Sequence, residues 1–115
     1  MSCVPTEQRE HKRYPLTDDT VISCAINFGQ VIDISEGGLA IKYINLDLQE
    51  DCWQATLHCR EKKLLIKELP LKLTHVSEIQ FSPFSPVYTQ TVGVKFNGPS
   101  DVQKDQIRQL IATLE

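Results

Sequence analysis

A chain of 115 residues fits one domain and leaves little room for a second, and 41% hydrophobic with 23% charged residues is the balance of an ordinary globular unit. No apolar run nears the ~20 residues that span a bilayer, and the polar start MSCVPTEQREHKR lacks the apolar stretch of a secretory signal, so no membrane insertion is expected and the cytoplasm is the expected location. The net charge of −3 argues against DNA as a partner.

In a reducing compartment Cys3, Cys24, Cys52 and Cys59 are not expected to pair. None forms a CxxC pair, and His11, His58 and His75 share no ligand spacing, so no metal is expected. Cys24 alternates with apolar neighbours as a small core residue does.

The first 15 or so residues are polar, carry Pro5 and Pro15, and read as an arm before the folded core. TVISCAINF is rich in β-branched and apolar residues and predicts a strand, with Gly29 marking a reversal. QVIDIS and GLAIKYI predict two short strands around Glu36-Gly37. WQATLHC predicts another strand, and Arg60 to Lys63 a charged, solvent-facing turn. LLIKEL has the composition of a helix start, but Pro70 would disrupt the interior of one. Leu69, Leu71 and Leu73 alternate with Pro70 and Lys72, which favours a half-buried edge strand. FSPFSP reads as a loop held extended by two prolines, and VYTQTVGVKF as the last strand. Val102, Ile107, Leu110, Ile111 and Leu114 then form one apolar stripe at helical spacing, and Ser100 with Gln103 matches a capping box. About six short strands with turn signals between them point to a small antiparallel barrel or sandwich. Closure into a barrel would remove the exposed edges. Trp53, Tyr43 and Phe96 are expected in its core rather than as a base-stacking set.

Two short stretches carry chemistry. Arg9 and Arg13 stand four apart in REHKR, and arginine's planar fork of donors matches phosphate oxygens or a guanine edge. Such pairs also occur simply as solvated charge. Asp33, Ser35 and Gly38 supply a carboxylate, a hydroxyl and a glycine within six residues. The carboxylate can accept from the N–H groups of a guanine edge, and the glycine allows close backbone approach. The same residue types are equally those of a plain turn, bonding to their own backbone.

Together, R9-E-H-K-R13 and D33-I-S-E-G-G38 resemble the two motifs of the PilZ domain family, RxxxR and D/N-x-S-x-x-G. These are bacterial receptors for the second messenger cyclic di-GMP. The closing VGVKF and the capped helix look like the family's last strand and C-terminal helix, so the resemblance runs from Arg9 to the C-terminus. It implies a mainly β fold: a six-stranded antiparallel barrel over 19–97, a flexible arm over 1–18 carrying RxxxR, and a helix over 99–114, one domain in all.

It also implies a ligand rather than a cofactor. Arg9 and Arg13 would contact the phosphates and guanine faces of cyclic di-GMP, Asp33 a guanine edge and Ser35 would add a hydroxyl contact. Gly38 would leave room at the turn. Binding would order the arm and make a surface for an unidentified protein partner, with no catalysis. Gln8 stands where some members carry a further arginine for a second stacked ligand, which favours one ligand per domain. Some members pack a side chain from a later strand on a base; His75 is the candidate here, beside its plainer reading as a structural histidine. Two alternatives stand beside this reading. One is a PilZ-like protein-interaction module that binds no nucleotide. The other is a small barrel for single-stranded RNA, which the acidic balance and missing aromatic platform disfavour.

Overall fold

The computed structural model describes residues 12–17, 19–24, 27–47, 50–81, 83–84 and 87–115. They form eight strands and one helix: β1 Tyr14–Pro15, β2 Thr20–Ser23, β3 Phe28–Ile34, β4 Gly38–Ile44, β5 Cys52–Cys59, β6 Leu64–Val76, β7 Gln80–Phe81, β8 Tyr88–Phe96 and α1 Asp101–Leu114. All pairings are antiparallel, in the order β1-β3-β2-β5-β6-β8-β4, and the β3–β4 pairing closes β3, β2, β5, β6, β8 and β4 into a six-stranded barrel. β1 and β7 are two short extra strands, added to β3 and β8.

The barrel follows from period-two patterning. In β4 Leu39, Ile41 and Tyr43 turn inward while Lys42 and Ile44 face out. Ile22, Val31, Leu57, Ile66, Leu69, Leu71 and Val92 complete the interior, fully buried. Gly29 is part of this core. It stands inside β3 and not at a reversal, which instead falls between Ser23 and Phe28. A Cβ on Gly29 would lie 2.7 Å from the Tyr43 ring and from Ile41 Cγ2, so the glycine makes room for the tyrosine.

Pro70 lies in the middle of a 13-residue strand rather than on a barrel edge. β6 pairs with β5 along one side and, from Leu71 onward, with β8 along the other. At Pro70 itself no N–H is needed on the β8 side, and its carbonyl accepts from Asn97 N at 2.9 Å.

Helix α1 covers one end of the barrel with Ile107, Leu110 and Ile111, all buried in the common core. Ser100 Oγ accepts from Gln103 N at 3.1 Å and Gln103 Oε1 from Ser100 N at 2.9 Å, a complete capping box. The Gln103 amide also donates to the carbonyls of Lys67 and Glu68 at 2.8 and 3.0 Å, and Gln106 to that of Leu65 at 3.1 Å. Two glutamines thus supply donors to three β6 carbonyls. Val102 departs from the expected stripe: it is 68% exposed, because the helix turns its first-turn side chain away from the barrel.

Candidate functional site

Arg9 lies outside the described residues. Arg13 lies inside them and is placed by β1, whose two residues pair Tyr14 with Ile34 and Pro15 with Asp33. Leu16 N extends the ladder to Ile32 O at 2.9 Å. The end of the expected arm is therefore a strand on β3, directly over the turn motif. There the Arg13 guanidinium donates from Nη1 to Asp33 Oδ1 at 3.0 Å, across 20 residues of sequence. One residue from each short motif meets in a single ion pair.

Asp33 owes its direction to a β-bulge. Val31 pairs with Ile41 and Asp33 with Ala40, so Ile32 is the extra residue. Strict alternation from Val31 would turn Asp33 into the core; the bulge shifts the phase so that Ile34 is buried and Asp33 keeps 23% of its side chain in solvent.

Ser35 and Gly38 serve the turn itself. Ser35 is 8% exposed, and its Oγ accepts from the N–H groups of Gly37 and Gly38, each at 3.2 Å. Its own N–H donates to Gly38 O at 2.9 Å. Gly37 O takes Phe96 N at 2.9 Å, which pins the turn to the end of β8. A Cβ on Gly38 would lie 2.0 Å from the Val94 carbonyl oxygen, so only glycine lets β8 pass this close. Beyond the turn lies a cleft of about 300 Å³, lined by Glu36, Gly37, Phe96, Ile107 and Arg108.

Tyr14 was not singled out by sequence reasoning; its one signal is its place next to Arg13. Lys12 Nζ lies 5.4 Å above its ring, and its hydroxyl donates to Glu115 Oε1 at 3.4 Å, joining β1 to the end of α1. Desolvation, then the Glu115 charge and hydrogen bond, then the Glu36 charge push the Tyr14 phenol above its ordinary value. His75 is exposed on β6, opposite Gly93. Tyr43 is buried, with Trp53 and Phe96 packed against the core. Among the described residues no group of three or more His, Cys, Asp or Glu stands together as metal ligands, and no helix is long and apolar enough to cross a membrane.

The sequence matches the PilZ domain family over residues 7–113. The chain belongs to the PilZ domain family. Two solved structures share the fold of this PilZ domain. One is MrkH of K. pneumonia in its complex with c-di-GMP, with a TM-score of 0.72 and 20% identity, over 93% of this chain and 52% of that one. The other is the PilZ domain of YcgR from Escherichia coli with c-di-GMP, with a TM-score of 0.69 and 16% identity, over 93% of this chain and 91% of that one. This PilZ chain spans about half the length of MrkH. No curated protein matches it in sequence.

Proposed function

We propose that this PilZ domain is a non-enzymatic receptor for c-di-GMP and signals by changing its contacts with a protein partner. The observation that carries the reading is the Arg13–Asp33 pair: the arm motif and the turn motif, 20 residues apart, meet at 3.0 Å on the barrel surface. Both groups are complementary to parts of one ligand. The guanidinium fork suits a phosphate or a guanine face, and the carboxylate suits the N–H groups of a guanine edge. The ligand would part the pair and take both groups. Arg9 would supply a second fork from the arm.

Ser35 has its Oγ engaged by two turn amides, so a hydroxyl contact to the ligand would come at the expense of one of them. Its contribution, with that of Gly38, is first to hold the turn at the height that presents Asp33. The MrkH and YcgR structures with c-di-GMP support the ligand class through the shared fold.

Titration calorimetry with c-di-GMP tests the reading. Heat is expected at protein concentrations on the order of tens of micromolar, well above a micromolar Kd. Absence of heat there would overturn it in favour of a PilZ protein-interaction module that binds no nucleotide.

A further inference from the structure

The outer face of β3, β4, β8 and β6 carries a charge pattern that neither motif includes. Strand register runs in one unbroken row from Asp33 to Ala40, Gly93 and His75. Directly paired residues project to the same side of a sheet. Asp33 and His75 therefore share the outer face, three strand spacings apart, about 14 Å. Between them stand only a methyl group and a hydrogen. The neighbouring rows lie about 7 Å away along the strands. One holds Lys42 and Thr91; the other holds Lys95 and Lys72.

The sign of this face is decided by what the strands lack. β4 and β8 contain no Asp or Glu, β3 contains only Asp33, which Arg13 covers at 3.0 Å, and β6 contains only Glu68, which precedes its pairing with β8 from Leu71 onward. Among the described residues the side chains of Lys42, Lys72 and Lys95 have no ion-pair or hydrogen-bond partner. In a chain of net charge −3, these cations flank Asp33 on the sheet, while the other acid of the motif turn, Glu36, lies off the strands in the exposed turn itself. Lysine's flexible four-carbon stem lets its ammonium reach inward over a low row from either flank.

We propose that Lys42 and Lys95 are further binding residues of the nucleotide site, taking phosphate oxygens from its two flanks. Ala40 and Gly93 keep the row between them low enough for a planar base to lie between Asp33 and His75. The inference rests on the c-di-GMP reading above and names the chemical class it fits, a doubly charged cyclic dinucleotide with flat bases.

The test is c-di-GMP calorimetry on the full chain at two salt concentrations. Lys42→Ala with Lys95→Ala should weaken binding about tenfold or more and make it less sensitive to salt, as loss of charged hydrogen bonds requires. Arg60→Ala with Lys62→Ala, in the exposed turn before β6, removes the same charge elsewhere. It should leave affinity within about twofold, the scatter of a remote surface change. Ala40→Leu should block binding without lowering Tm. A lysine double variant that binds like the turn control overturns the inference, as does an Ala40→Leu protein that is folded and binds like wild type. If Ala40→Leu does not fold, the lysine comparison decides alone. Wild type without heat removes the c-di-GMP reading and this inference together. Wild type with heat, weakened by Asp33→Ala but not by the lysine pair, removes this inference only.

Discussion

Replacing Asp33 by alanine separates the two roles its position allows, because the two predict different magnitudes. Among the described residues the Asp33 side chain makes one contact of consequence in the free protein, the 3.0 Å pair with Arg13. The two side chains are 23% and 39% exposed. A pair that open to water contributes about 0.2–1 kcal/mol, so Asp33→Ala should cost less than about 1 kcal/mol of stability. In the complex Asp33 would accept charge-assisted hydrogen bonds worth about 1.5–3 kcal/mol. The free-state pair must be parted first, and the variant escapes that step, which returns up to about 1 kcal/mol. The net loss of affinity is then roughly 0.5–2.8 kcal/mol, about twofold to a hundredfold in Kd. Urea unfolding gives the first quantity and calorimetry the second. Equal losses in the two, or unchanged affinity, would refute the assignment of Asp33 to the ligand and leave it as a turn residue.

Other outcomes follow from single contacts. Gly38→Ala would set a Cβ 2.0 Å from Val94 O, a backbone atom, and should destabilise by about 1–3 kcal/mol in urea; a loss below about 0.5 kcal/mol would show that β4 and β8 can separate freely. Gln103→Ala removes one half of the capping box and both bonds to the Lys67 and Glu68 carbonyls, so about 1–2 kcal/mol of stability should go, again read from urea midpoints. Burial raises the Tyr43 phenol far above its ordinary value of 10.0. The unfolded chain ionises there first, so the stability is present in full below pH 10 and falls as pH rises beyond it. Thermal melts at stepped alkaline pH should show this fall, and Tyr43→Phe should flatten it.

What the sequence made legible were features set by neighbours along the chain. The capping box, the apolar stripe from Ile107 to Leu114 and the hairpin around Glu36-Gly37 are each written within a few residues, and each stands as expected. What it hid depends on partners far along the chain. Gly29 looks like a turn residue until Tyr43, on the next strand, is seen to fill its missing side chain. Pro70 looks like an edge marker because the sequence cannot tell which of two neighbours needs an N–H at that point. Val102 fits the helical stripe, but the tilt of α1 on the barrel is set by Ile107, Leu110 and Ile111. At the site, the residue types of both motifs were readable and their meeting was not. Alternation from Val31 points Asp33 inward, and only the bulge at Ile32 brings it out to Arg13. The lysines of β4 and β8 were invisible for the same reason, since register alone sets them around Asp33.

The bulge also marks where β3 changes neighbours. Up to Gln30 it pairs with β2, and from Asp33 it pairs with β1. The two pairings share no residue, so β1 can detach while every barrel pairing stays closed. Hydrogen exchange should therefore split this small domain into two tiers. The Leu16 amide, bonded to Ile32 O, should take up deuterium through a local opening, whereas amides such as Leu39 and Val92 should wait for global unfolding. The segment that carries Arg13 should thus be released from the fold at a free energy of its own, below that of the barrel.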